Sequence, residues 1–312
     1  MIRVRKRKTA ISAFCIMIVF LAMMQPPFSY ANFGAADEKS QTIKAASDYV
    51  NDAVHKLGIP GGALAIVHKG QIVHTEAWGV TGEEKLDVTP QTPFLIGSIS
   101  KTLTAYAVML LVEDEQLDLH MTVAQLLPSI RFQNRSAAEN MTIEHLLAHT
   151  SGISTFDGLK SADLGLQSED AIQQVVQQLN DTELLFSPGT KHEYSDANYA
   201  ILGAIIKEVS GMPYAEYMKN AVFDPLGMTH SAASQAQAEQ IGWKKGYRSW
   251  FEIPFESDIP YDNAGAPYGY VASSVTDMAR FLTAVQAPEK FPGLSAESIV
   301  QMLEPAVPTS EI

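Results

Sequence analysis

The polar and apolar positions fall into a few distinct periodicities. From Thr42 to Leu57, Ile43, Ala46, Val50 and Val54 recur at helical spacing, which predicts an amphipathic helix. Gly61 to Val67 and Gln71 to Ala77 are apolar-rich runs on either side of Lys69-Gly70, the pattern of a β-hairpin. Thr102 to Val112 is apolar nearly all round, lacks Gly and Pro, and is followed by Glu113-Asp114-Glu115; it predicts a buried helix. Phe94-Leu95-Ile96-Gly97, just before it, reads as a strand or loop. From Lys101 to about Met228 the pattern stays mostly helical, punctuated by Pro128, Gly152, Pro188-Gly189 and Pro225. Helix-rich sequence inserted after a hairpin predicts a sheet lobe and a helical lobe, with the chemistry between them.

The first thirty-one residues follow a different rule. Arg3, Arg5, Lys6, Arg7 and Lys8 form a basic stretch, Ala10 to Met24 an apolar one, and Pro26-Pro27 break it. Ser29-Tyr30-Ala31 then offers small residues at the −3 and −1 positions of a cleavage site, so residues 1–31 are expected to be a signal peptide. An uncleaved membrane anchor is the alternative, although an apolar run of this length falls short of the roughly 20 residues that span a bilayer. Asn32 to Gln41 reads as a flexible lead-in, giving an expected organisation of 1–31 signal peptide, 32–42 lead-in and 43–312 one domain.

Composition sharpens this. The single cysteine, Cys15, lies in the apolar stretch, so the exported part would have neither disulfide nor thiolate chemistry. The chain carries 35 acidic and 22 basic residues, a net charge of −13. Five of the basic residues precede Ala31 and no acidic residue precedes Asp37, so the mature part is more acidic still. That argues against nucleic acid and anionic membrane as partners, and suits an exported protein that meets membrane only if the N-terminal segment stays uncleaved.

The candidate chemistry begins at Ser98-Ile99-Ser100-Lys101. Residues i and i+3 share a helix face, so Lys101 can reach back to Ser98 at the helix mouth. A serine hydroxyl needs an adjacent base to become a nucleophile, and a desolvated lysine can be that base. Alone, one S-x-x-K is a chance-level pattern in a chain this long, and Lys101 could simply snorkel from a helix end. Tyr194, in the polar stretch Pro188-Gly189-Thr190-Lys191-His192-Glu193-Tyr194-Ser195-Asp196 before a helix, is a second candidate, a general acid or base beside an ammonium or else a structural tyrosine. His145 and His149 stand at i, i+4 behind Glu144. No motif supplies a third ligand and Glu144 is outside the pair, so metal binding is not expected, and His149 reads as the cap of a helix C-terminus before Gly152.

Five segments, in order, resemble the serine β-lactamase-like superfamily. They are Phe94–Thr102, Leu146-Leu-Ala-His-Thr-Ser-Gly-Ile153, Pro188–Asp196, Phe223-Asp-Pro-Leu-Gly-Met-Thr229 and Ser274-Val-Thr-Asp-Met-Ala-Arg-Phe281. The likeness runs from about residue 43 to 285 and is nearest the branch of class C β-lactamases, D-Ala-D-Ala carboxypeptidases, D-amino-acid peptidases and esterases. It implies an α/β (α+β), β-lactamase/transpeptidase-like fold, with an antiparallel sheet lobe and a mainly helical lobe. It also implies a serine hydrolase with no cofactor and no metal, forming an acyl-enzyme on Ser98. Lys101 resembles the activating base, Tyr194 the tyrosine that relays protons, and the Ser98 N–H one half of the oxyanion hole. The implied substrates are D-amino-acyl peptides, esters or β-lactam-like molecules, peptidoglycan-like peptides among them.

Two departures matter. Many relatives have Tyr-Ser-Asn where this chain has Tyr194-Ser195-Asp196. An amide both donates and accepts, whereas an ionised Asp only accepts. Asp196, the expected substrate-binding position, should therefore pair with Lys101 and recognise an acyl amide less well. The triplets at Tyr30, Tyr49 and Tyr261-Asp262-Asn263 read as coincidences. The family's third motif, Lys-Thr-Gly or His-x-Gly, is missing in order, Lys244-Lys245-Gly246 coming too early. A C-terminally truncated domain is therefore expected, with closing strands missing, a lone Gly61–Ala77 hairpin and weak activity as given. A non-catalytic cell-wall binding or sensing protein that keeps the fold is the rival reading. Trp243, Tyr247, Trp250 and Phe251 would line a cleft or pack the lobe.

Overall fold

The computed structural model describes residues 37–306 apart from 83, 161–163, 252 and 258. The expected signal peptide, Cys15 and residues 32–36 of the expected lead-in lie outside these residues. The chain divides into Met1–Ala45 and Ala46–Ile312, and the candidate site belongs to the second unit.

Helix α1 spans Asp37–Lys56, so the amphipathic pattern starts earlier than the periodicity from Thr42 indicates and takes in the end of the expected lead-in. Strands β1 (Gly61–Val67) and β2 (Ile72–Thr81) pair antiparallel, with Gly61 opposite Gly79 and Ala65 opposite Thr75. Lys69 and Gly70 between them both have positive φ, 51° and 66°, the two left-handed positions that a tight hairpin needs to follow the strand twist. The hairpin is not alone. Strand β3 (Leu86–Asp87) extends it to a three-stranded sheet, β1-β2-β3. Ser47 of α1 is hydrogen-bonded to Glu76 of β2.

Strand β4 (Phe94–Leu95) leads through a 3-10 turn, Gly97–Ile99, into α2 (Ser100–Glu113). As its all-round apolarity predicts, α2 is buried almost throughout, from Ser100 to Met109 and at Leu111, with Thr102 the exception. The helical lobe continues through α3 (Ile143–Leu147) and α4 (Asp196–Ser210). α4 is likewise buried from Ala197 to Ile206 and packs against α2, which fixes Lys101 and Asp196 at facing helix starts.

Strands β5 (Ser231–Ala232), β6 (Tyr247–Trp250), β7 (Ile253–Glu256) and β8 (Ala272–Ser273) come next. β8 lies between β4 and β5 in a second small sheet, which brings the 268–273 segment under the Ser98 turn. The β6–β7 hairpin is absent from the periodicity reading. Pro254 interrupts it, and Ile253 and Phe255 are exposed, so no face-alternation marks it. Helix α5 (Val275–Gln286) packs on β1 and β2, and its Gln286 Oε1 accepts the Gly70 N–H at 2.9 Å. The expectation of an isolated hairpin is thus corrected, since a third strand and a helix cover it. No strand follows Ser273 among the described residues.

Candidate active site

Gly97, with φ 56°, lets the chain turn sharply out of β4 and leaves Ser98 exposed at the mouth of α2. Lys101, one turn later, is almost fully buried. Its Nζ lies 3.4 Å from Ser98 Oγ, 2.7 Å from the Tyr268 carbonyl oxygen and 2.6 Å from Asp196 Oδ1. Ser98 Oγ and the Tyr268 carbonyl accept hydrogen bonds from this nitrogen, and Asp196 stands beside it as an ion-pair partner. The rings of Tyr194, Tyr199 and Tyr268 lie 4.9, 5.8 and 5.8 Å from the same nitrogen, a further electrostatic support for a cation.

Tyr194 completes the group, its hydroxyl donating to Ser98 Oγ at 3.0 Å. All four residues singled out in the sequence, Ser98, Lys101, Tyr194 and Asp196, therefore meet at one place. Ser98 Oγ sits between the lysine nitrogen and the tyrosine hydroxyl, an arrangement able to pass a proton either way. Asp196 stands at the first position of α4, where a carboxylate also complements the helix dipole.

Two loops hold Tyr194 in place. Thr155 donates its N–H (3.1 Å) and its hydroxyl (2.6 Å) to Glu193 Oε1, and the hydroxyl also contacts the Tyr194 carbonyl. These bonds from Thr155 hold the Glu193 carboxyl below the usual carboxylate range. Ser195 Oγ donates to the Ser154 carbonyl at 2.9 Å, and the Glu193 N–H to the His149 carbonyl at 2.8 Å.

His149 has a place that the sequence indicates only in part. Its backbone is left-handed, φ 57°, just past α3, as expected of a residue closing a helix C-terminus. Its side chain turns away from the helix and lies under Tyr194, ring centroids 4.5 Å apart and planes 30° from parallel. Its Nδ1 accepts the Ser195 N–H at 3.2 Å and contacts Asn198 Nδ2 at 3.0 Å. Burial above all, with the Lys101 and His192 charges adding to it, pushes its pKa down to about 3. His145 points elsewhere: its Nδ1 accepts the Thr142 N–H in the capping box of α3. The i, i+4 histidines thus serve separate tasks, and no group of three metal-binding side chains occurs among the described residues.

Sequence reasoning missed Asn198, Ser151, Thr155 and the Tyr268 carbonyl. Asn198 left a signal, being a polar residue one turn into an apolar helix. Tyr261-Asp262-Asn263 has another role. Tyr261 is buried, Asp262 Oδ2 accepts the Leu164 N–H at 2.9 Å, and Asn263 Nδ2 donates to the Gln167 carbonyl at 2.7 Å, so the triplet braces the 164–167 loop. Burial raises the Asp262 pKa. Of the downstream aromatics, Trp243 packs edge-on against Tyr261 at 5.3 Å, Tyr247 donates to the Gly82 carbonyl at 2.7 Å and Phe251 is exposed; the Trp250 side chain lies outside the described residues. A cleft of about 720 Å³ bounded by Gln167, Tyr214, Glu216 and Gln235 touches none of the four site residues.

The sequence matches the family model described as Beta-lactamase over residues 46–310. The chain belongs to the beta-lactamase family. Its fold is therefore β-lactamase/transpeptidase-like, with a mainly helical part and antiparallel sheets, and its family is serine-hydrolase-like. Among curated relatives of this beta-lactamase-family chain, Protein flp of Staphylococcus aureus (strain COL) is 28% identical over 242 residues, covering 77% of this chain and 48% of that protein. The putative penicillin-binding protein PbpX of Bacillus subtilis (strain 168) is 32% identical over 247 residues, covering 79% and 59%. Among solved structures, the octameric penicillin-binding protein homologue from Pyrococcus abyssi superposes with a TM-score of 0.72 at 27% identity, covering 85% of this chain and 60% of that one. The chain spans about half the length of the Protein flp relatives it matches.

Proposed function

We propose that this chain is an exported serine hydrolase that takes an acyl group onto Ser98 from a D-amino-acyl peptide, an ester or a β-lactam-like substrate. The observation that carries this reading is Ser98 Oγ held between Lys101 Nζ at 3.4 Å and the Tyr194 hydroxyl at 3.0 Å. In the proposed reaction Ser98 Oγ bonds to the substrate carbonyl carbon as its proton passes to a neutral Lys101 amine. Tyr194 delivers a proton to the departing nitrogen or oxygen, the carbonyl–leaving-group bond breaks, and an ester on Ser98 results. Water, deprotonated through Tyr194, then cleaves that ester, releasing the acid and returning the proton to Ser98. Residues 1–31 support an extracytoplasmic location, where peptidoglycan-like peptides are within reach.

Incubation with a fluorescent penicillin or a fluorophosphonate, followed by mass spectrometry, tests this. A covalent adduct on the Ser98 peptide that disappears in Ser98→Ala is expected. An unmodified Ser98 under saturating probe would overturn the assignment.

One observation favours a second reading, a cell-wall binding or sensing protein without turnover. Asp196 Oδ1 lies 2.6 Å from Lys101 Nζ, so a carboxylate already engages the nitrogen that would have to take the Ser98 proton. Binding of peptidoglycan fragments that is unchanged in Ser98→Ala and accompanied by no hydrolysis would support it.

A further inference from the structure

His149 and Asn198 take no part in the proton path described above, yet they form a buried, hydrogen-bonded polar pair beside it. Asn198 is fully buried and His149 nearly so. The orientation of the amide is set from behind. Ser151 Oγ accepts the Ile153 N–H at 3.1 Å and donates to Asn198 Oδ1 at 2.6 Å, so Asn198 Nδ2 must face His149 Nδ1. The Ser195 backbone N–H, which can only donate, points at the same Nδ1 at 3.2 Å. Two donors aimed at one ring nitrogen leave it no proton, so the imidazole is neutral and carries its hydrogen on Nε2.

The surroundings agree. The Lys101 ammonium on α2 acts unfavourably on any charge at His149, as does His192 in the adjoining loop. The Tyr199 ring of α4 lies 5.2 Å away on centroids and the His192 ring 6.0 Å. The two nearby carboxylates are both engaged, Asp196 by Lys101 and Glu193 by Thr155. Among the described residues no anion contributes to the electrostatics of the imidazole. The Tyr194 ring rests on this uncharged plate, and its hydroxyl reaches Ser98.

We propose that His149 and Asn198 are positioning residues for Tyr194. Asn198 and the Ser195 N–H lock the imidazole as a neutral plate. That plate holds the tyrosine hydroxyl on Ser98 and keeps a second cation away from Lys101. This deepens the hydrolase reading and rests on it for its kinetic consequence, though not for its structural one.

The test is Asn198→Asp, which keeps size and the Ser151 bond but replaces the donor facing Nδ1 with an acceptor. Imidazole nitrogen NMR across a pH series reads the result directly, whether or not Ser98 is reactive. In the wild type, His149 Nδ1 should remain unprotonated down to about pH 3. In Asn198→Asp it should take up a proton, with a midpoint above the ordinary histidine value of about 6.5. A protonated Nδ1 in the wild type, or the same titration in both proteins, would overturn the proposal.

The second readout is the rate of adduct formation on Ser98. Asn198→Asp should lose roughly tenfold or more at acidic pH and recover where the imidazole is neutral, above about pH 8. A loss equal at all pH values would mean a merely structural role and would also overturn it. If the wild type forms no adduct, the hydrolase reading fails by itself, while the NMR titration still decides the pair.

Discussion

The effect of Asp196 on the site is electrostatic. Its carboxylate is 2.6 Å from a lysine that is itself almost fully buried. In a partly desolvated site such a pair is much stronger than in water. It engages the nitrogen that would have to accept the Ser98 proton. Asp196→Asn removes the charge and keeps the shape. Adduct formation on Ser98 should then speed up on the order of tenfold, equivalent to about 1.4 kcal/mol in the barrier. Stopped-flow or gel-based acylation with a fluorescent penicillin measures it, and an unchanged or slower rate would show that the ion pair does not limit the lysine. At this scale the sequence was informative for residues whose partners are near in the chain. Ser98 and Lys101 are three apart, and helix geometry alone brings them together. The doubly capped ring of His149 was not legible, because the donors come from Ser195 and Asn198, on a distant loop and helix.

At the scale of elements, the loop from His149 to Thr155 is the support on which Tyr194 is mounted, and Gly152 is its tightest point. Gly152 has φ 86°, and a Cβ there would stand 2.3 Å from the Phe186 carbonyl oxygen. The Leu185 N–H donates to the Gly152 carbonyl and the Gly189 N–H to the Thr150 carbonyl, each at 2.8 Å, so the neighbouring backbone cannot easily give way. Gly152→Ala should cost about 3 kcal/mol of stability through backbone strain and overlap. Urea unfolding checks this, and a loss under about 0.5 kcal/mol would sink it. Elements with a strong internal pattern were legible. The buried helix read from Thr102 to Val112 is α2, Ser100–Glu113, and the Lys69-Gly70 turn falls where the hairpin signal put it. The two-residue strands β3, β4, β5 and β8 are too short to carry a period, and their existence depends on partners far away in the chain.

Across the whole molecule, charge and one sheet edge act against each other. β1, Gly-Gly-Ala-Leu-Ala-Ile-Val, holds an outer place in the order β1-β2-β3, with no charged residue and no proline to discourage pairing. A net charge of −13 at neutral pH keeps copies apart. For the full 312-residue chain that repulsion vanishes toward the isoelectric point near 5.0. Light scattering should therefore rise steeply between pH 7 and pH 5 at low salt, with a gain in sheet signal by circular dichroism. A protein that stays monomeric at its isoelectric point would show that the β1 edge is inert.

The sequence by itself determined the long helices and the first hairpin, the two-lobed class, the Ser98–Lys101 pair and, through the order of its motifs, the family. These follow from local periodicity, turn chemistry and short spacings, all of which are written along the chain. Tertiary structure decided the rest. It put Tyr194 on Ser98 across 96 residues and the Tyr268 carbonyl on Lys101 across 167. It turned His149 from a helix terminator into the plate beneath a tyrosine. Contacts of that kind exist only once apolar helices have packed and excluded water, because burial is what makes each unmatched donor costly and so selects the partner it must meet.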